Sequence, residues 1–198
     1  MTVTQSLGTA IGLLEFSSIA VGIDVGDAMV KRAPLEVIRA GTVHPGRYLV
    51  LVGGEVADIE EAMDAAHQKD TDSLVDELFL PDPHPELVAA LTGRRSNGDG
   101  EALGIIETAS VAAVIRAADA GLKGARVVLR EIFLADDLGG KGYLLFSGSL
   151  TEVEEAVELG AARVPGELVT WRVIAQLHEE MDENLQASGR FSSRLREE

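Results

Sequence analysis

Four histidines stand at positions 44, 67, 84 and 178, and none shares a helix-face spacing such as H-E-x-x-H that would bring two imidazoles to one metal. The chain holds no cysteine, which removes disulfides, thiolate nucleophiles, zinc–thiolate sites and cysteine-held iron–sulfur clusters. No G-x-S-x-G, Walker loop or G-x-G-x-x-G occurs, and the "GGKG" at 139–142 lacks both the phosphate-loop spacing and a following Ser or Thr. The carboxylate pairs Glu60–Glu61 and Glu154–Glu155 fall on the polar faces of amphipathic segments and read as solvated surface. The lone tryptophan, Trp171, sits in an apolar run and reads as core or interface. No constellation of general acid, base or nucleophile emerges, and the expectation is a protein without catalytic activity. What remains chemically distinctive is a pair of short charged, glycine-containing loops, "HPGR" at 44–47 and "DDLGGKG" at 136–142.

The elements that carry those loops are written twice. With the chain offset by 92 positions, Gly12 meets Gly104, Glu15 meets Glu107, Ser18 meets Ser110, and Asp27, Ala28 and Lys31 meet Asp119, Ala120 and Lys123. Beyond the loops the offset is 94, and Gly54 meets Gly148, Glu60–Glu61–Ala62 meets Glu154–Glu155–Ala156, and His84 meets His178. Such self-similarity makes each copy a small domain rather than a solenoid repeat. The copies run over residues 10–91 and 102–187, joined by a polar linker at 92–101 that contains the turn-forming pairs Asn97–Gly98 and Asp99–Gly100. A tail at 188–198 mixes charges with Phe191 and Leu195, and its composition leaves docking and fraying both open.

Within each copy the order is legible. "IGLLEF" and "LGIIET" are short apolar runs, hence strands. Ser18 and Ser110 then offer N-cap oxygens to helices rich in small residues. "LEVIRAGTV" and "VVLREIFLA" give a second strand, and the charged loop, then "YLVLV" or "YLLFS", a third. Gly54 and Gly148 end it. A second helix follows, with Val56, Ile59, Ala62, Met63 and Ala66 on one face of the first copy and a Thr151–Glu154 capping-box spacing in the second. "LVDELFL" and "LVTWRVI" close the copies as last strands. The scheme β-α-β-β-α-β predicts an α+β fold of two tandem ferredoxin-like domains, each an antiparallel sheet with its helices on one face.

Composition bounds the partners. The 198 residues are 46% hydrophobic but only 4% aromatic, so the core is aliphatic. A net charge of −16 leaves no basic surplus to displace counterions from nucleic acid or to dock on anionic lipid. No apolar stretch approaches the ~20 residues of a membrane helix. The start "MTVTQSLGTAIG" has no basic region followed by an apolar run, so no secretory signal is expected. A domain of about 85 residues buries a modest core, so two such domains are expected to lean on each other or on other subunits.

"LGIIET" followed by "AADAGLK", a strand, a Gly-containing loop, a strand ending in Gly and a helix resembles the shell-protein domain of bacterial microcompartments. Because both copies begin at the "LGIIET"-type strand, the order resembles the unpermuted tandem class. That resemblance implies a homotrimer with pseudo-sixfold symmetry, tiling with hexameric and pentameric shell proteins in the cytoplasm of a bacterium. A central pore would pass small polar metabolites. It places His44, Pro45, Gly46 and Arg47 and Asp136, Asp137, Leu138, Gly139, Gly140, Lys141 and Gly142 at the pore. Threefold symmetry would turn Asp136 and Asp137 into a carboxylate ring that favours cations unless Arg47 and Lys141 offset it. On the residues alone, the same segments read first as ordinary hairpin turns whose charges meet water, and it is the resemblance that turns them into a pore.

By the same resemblance Lys31 and Lys123 lie at the oligomer edge, where the residues alone give lysines favoured at helix C-termini. The family's Pro-Arg-Pro-His edge motif is altered to Pro81, Asp82, Pro83, His84 in the first copy and Ala175, Gln176, Leu177, His178 in the second. Asp82, His84, Gln176 and His178 are thus the corresponding edge residues, without the arginine, and edge contacts should differ. The iron–sulfur cluster of some tandem members needs a cysteine this chain lacks, and no cofactor is expected. His44, threefold repeated, is the remaining metal candidate, and a lone loop histidine is commonly no ligand. A small-molecule sensor built from tandem ferredoxin-like domains is the competing reading.

Overall fold

The apolar run from Ala10 forms strand β1 (Ala10–Phe16), and Ser18, in an extended conformation, turns the chain into helix α1 (Ile19–Arg32). The Ser18 hydroxyl accepts from the Val21 N–H at 3.4 Å, and Lys31 and Arg32 occupy the last turn, where the helix dipole favours cations. Strands β2 (Val37–Val43) and β3 (Arg47–Gly54), helix α2 (Val56–His67) and strand β4 (Leu74–Pro81) complete the first copy. The second repeats it as β5 (Ala102–Thr108), α4 (Val111–Gly124), β6 (Val128–Leu134), β7 (Gly142–Gly148), α5 (Leu150–Ala162) and β8 (Leu168–Ile174). Two helices lie outside the repeat scheme, α3 (Pro85–Leu91) after β4 and α6 (Glu179–Gln186) after β8. This computed structural model describes residues 7–69, 72–98 and 100–187. Asp99, Phe191 and Leu195 lie outside the described residues.

Each copy forms a four-stranded antiparallel sheet, ordered β2-β3-β1-β4 and β6-β7-β5-β8. The registers of β1–β4 and β5–β8 agree between copies: Leu13 pairs with Leu78 as Ile105 pairs with Arg172, and a bulge falls at Glu15/Phe16 as at Glu107/Thr108. Strand β6 alone carries a further bulge between Leu129 and Glu131 against β7, absent from β2–β3. The structure therefore has the expected tandem ferredoxin-like fold. One local expectation is corrected. Helix α5 starts at Leu150 with Ser149 as N-cap, and no side chain caps it. Ser149, extended directly after Gly148, takes the N-cap position, so Thr151 and Glu154 lie inside the helix rather than forming a capping box.

Residues pointing to opposite faces of β1 enter two different cores. Leu14 and Phe16 join Val25, Met29, Val50 and Ile59 under the helices of the first copy. Ile11 and Leu13 face the other way and, with Leu78, join Ala112, Ile115 and Ala118 of α4. The second copy thus covers the far face of the first copy's sheet, and β1 is buried on both sides. Helix α3 extends this junction. Leu87 is buried, and Glu86 Oε2 accepts from the Leu129 N–H of β6 at 3.1 Å.

Inside the second copy, α4 and α5 approach closely at glycines. A Cβ on Gly160 would stand 2.8 Å from the Ala117 carbonyl oxygen, and one on Gly121 would stand 2.9 Å from that of Ala156. The linker runs along β6 and β7, where the Ser96 N–H donates to Arg130 O at 3.2 Å and the Gly100 N–H to Ser147 Oγ at 3.1 Å. Among the described residues no helix is long and apolar enough to cross a membrane.

Candidate functional site at the junction of the two loops

Strands β2 and β3 present the loop 44–47, and β6 and β7 present 136–142. The first contains a cis His44–Pro45 bond and Gly46 at φ 97°, with the Gly46 N–H donating to Val43 O at 2.9 Å. The second is longer and turns through left-handed backbone at Ala135, Asp137, Gly139 and Gly140. It closes on itself by N–H donation from Leu138 to Ala135 O at 2.9 Å and from Ala135 to Lys141 O at 3.0 Å. His44, Pro45, Gly46, Asp136, Asp137, Gly139 and Lys141 are exposed, Leu138 is half-buried, and Gly140 and Gly142 are buried.

Arg47 brings the two loops together. Its Nη1 donates to the Gly140 carbonyl at 3.2 Å, to the Ala109 carbonyl at 3.3 Å, and to Glu15 Oε1. Glu15, fully buried, accepts on its other oxygen from the Val111 N–H at 2.9 Å, at the positive end of α4. Burial pushes the Glu15 carboxyl above its ordinary pKa, and the hydrogen bonds from Arg47 and Val111 pull it back down. The second copy repeats the pair without the cover. Lys141 Nζ donates to Glu107 Oε1 at 2.7 Å, and both side chains remain substantially exposed. Both loop cations are therefore turned onto first-strand glutamates.

The six residues assigned to an oligomer edge fall into two groups. The His84 N–H donates to Asp119 Oδ1 at 2.8 Å, while Lys123 pairs with Asp119 Oδ2 at 2.7 Å. Asp82, at φ 52°, precedes them, its N–H donating to Thr9 O at 2.8 Å. Asp82, His84 and Lys123 thus gather where the first copy leaves β4 beside α4. Lys31, by contrast, is exposed at the end of α1 and paired with Asp27, whose hydrogen bond raises the ammonium pKa. Gln176 and His178 are exposed after β8. The structure does not bring these three residues together within one chain. His84 and His178 also share a role that the sequence reading missed: each imidazole Nδ1 caps the following helix, accepting from Glu86 N or Glu180 N at 3.3 Å. Among the described residues no group of three or more His, Cys, Asp or Glu is placed to hold a metal ion.

Duplicated sheets docked face to helix, with two loops meeting at one end, define a tandem shell-domain architecture, and comparison with known proteins agrees. The BMC domain family matches residues 10–83 and again 102–177. The chain is 38% identical over 177 residues to the bacterial microcompartment shell protein PduT of Citrobacter freundii, covering 88% of this chain and 96% of that protein. It is 27% identical over 198 residues to the carboxysome assembly protein CcmO of Synechocystis sp. (strain ATCC 27184 / PCC 6803 / Kazusa), covering 91% of this chain and 66% of that one. A solved microcompartment protein from Desulfitobacterium hafniense DCB superposes with a TM-score of 0.77 at 36% identity, over 88% of this chain and 98% of that chain. The chain belongs to the bacterial microcompartment shell-protein family, with two BMC domains in tandem.

Proposed function

We propose that this chain is a non-enzymatic structural tile of a microcompartment shell in the bacterial cytoplasm. Three copies close head to tail into a pseudohexameric ring. The loops 44–47 and 136–142 surround its axis and pass small polar metabolites passively. Asp136 and Asp137 supply carboxylates to the opening, where they favour cations. Lys31, Lys123, Asp82, His84, Gln176 and His178 lie at the tile edge and meet neighbouring hexameric or pentameric shell proteins.

One observation supports the ring above all others. Docking inside the chain buries the first turns of α4, with Val111 and Ile115 each 1% exposed. Their counterparts on α1, Ile19 and Ile23, are left 41% and 54% exposed. The sheet face that buries α4 has its own counterpart on β5 and β8, where, among the described residues, Arg172 and Ile174 are exposed and Ile105 is half-buried. Each chain therefore offers one unfilled socket and one unfilled plug, the condition for a heterologous interface that closes into a ring. Native mass spectrometry tests this: the expected species is a trimer of the 21.0 kDa chain. Coexpression with hexameric shell proteins should then incorporate it into closed particles. A stable monomer at micromolar concentration contradicts the proposal.

A further inference from the structure

We infer that Arg172 on one copy and Asp24 on the next form the ion pair that joins chains, with its polarity reversed relative to the junction inside the chain. The inference rests on the trimer reading above and specifies its contact.

Inside the chain the acid is on the strand and the base on the helix. Asp76 of β4 faces Arg116 of α4, with Arg116 Nη2 3.3 Å from Asp76 Oδ1, and the other Asp76 oxygen accepts from Ser110. The matching registers of β1–β4 and β5–β8 place Thr170 where Asp76 stands and Arg172 where the buried Leu78 stands. Arg172 bends back along its strand, and its Nη1 donates to Thr170 Oγ1 at 2.8 Å. A guanidinium thus lies beside the residue that replaces the in-chain carboxylate. On the helix side, the residue in the Arg116 position of α1 is Asp24, an exposed carboxylate paired with Lys69 at 3.1 Å, and that lysine is itself exposed. When β8 of one copy docks on α1 of the next as β4 docks on α4, Arg172 meets Asp24. Ile19 and Ile23 then meet the sheet face holding Ile105 and Ile174.

The reversal also sets partner choice. A first copy's β4 docking wrongly on another chain's α1 would set Asp76 against Asp24. A β8 docking on α4 would set Arg172 against Arg116. Both wrong junctions juxtapose like charges, while both right ones juxtapose opposite charges.

A charge-swap experiment on the full chain tests the pair. Arg172→Asp and Asp24→Arg are made singly and together, and the trimer–monomer equilibrium is measured by sedimentation over a dilution series, with circular dichroism verifying that each variant keeps its fold. Each single variant is expected to weaken trimer association by roughly tenfold or more, and the double variant to recover most of that loss. Singles that associate like the parent, or a double variant no better than the singles, overturn the ion pair while leaving the trimer intact. A parent chain that is monomeric throughout removes the trimer reading itself and the pair with it.

Discussion

Replacing Arg47 with alanine isolates what holds the two loops together. Glu15 is fully buried and has two partners besides solvent-free packing: Arg47 and the Val111 N–H. Removing one member of a buried ion pair costs about 3–5 kcal/mol, because the remaining charge is left uncompensated. Arg47 itself is 23% exposed, so water enters part of the vacated space. The lower end, about 3 kcal/mol, is therefore expected. For a chain of this size that loss lowers the melting temperature by roughly 6–12 °C.

The pH dependence has a definite sign. Burial already raises the Glu15 pKa in the folded state, and loss of Arg47 takes away two influences that lower it. The folded variant then binds a proton at higher pH than the parent. Because a group whose folded pKa is raised gains stability as pH falls through that value, the gap between variant and parent narrows on acidification from neutral pH. Urea titrations followed by circular dichroism, at neutral and mildly acidic pH, measure both effects. Lys141→Ala is the control. Its pair with Glu107 is 51% and 31% exposed, so its loss in the single chain is expected below about 1 kcal/mol. An Arg47→Ala loss under about 1 kcal/mol at neutral pH, or a gap that stays constant on acidification, refutes the reasoning.

Two further outcomes follow from local geometry. Gly160→Ala places a methyl group 2.7 Å from Ile106 Cδ1 and 2.8 Å from the Ala117 carbonyl, forcing α4 and α5 apart. A net loss of about 1–3 kcal/mol is expected despite alanine's better helix propensity, and a neutral or stabilising result in thermal unfolding contradicts the close packing. Asp136→Asn and Asp137→Asn remove loop charge while asparagine still accepts the left-handed backbone that Asp137 adopts. Assembly should survive in both, with passage of cationic probes across reconstituted shells reduced relative to anionic ones. Equal flux before and after the change opposes a pore role.

The fold was readable because the chain repeats itself. Glycines at 54 and 148 and N-cap serines at 18 and 110 fix the same turns twice, and a strand or helix ambiguous in one copy is resolved by the other. The junction was less legible. Glu15 closes an apolar run and reads as the polar end of a strand, yet it is buried because Arg47, 32 residues on, and Val111, 96 residues on, both reach it. Local patterning carries no signal for a partner that tertiary docking supplies. A hint existed in the recurrence of acid and base together, Glu15 and Arg47 in one copy and Glu107 and Lys141 in the other. Helix α3 went unassigned although Pro85 at its start and Glu86 in its first turn are ordinary start signals. The capping-box misassignment arose because Ser149 stands two residues before Thr151, and the earlier residue took the turn.

The peptide bridge at 92–101 has a kinetic consequence. By tethering one pair of modules, it replaces a diffusive encounter with an intramolecular one at a high effective concentration. In the proposed trimer, a closed ring then requires fewer collisions than one made from separate modules, and its yield falls off less steeply on dilution. The tethered contact is also relieved of recognising a stranger. It is free to entomb a carboxylate such as Glu15, whereas Glu107, its counterpart in the second copy, stays 31% exposed in the single chain.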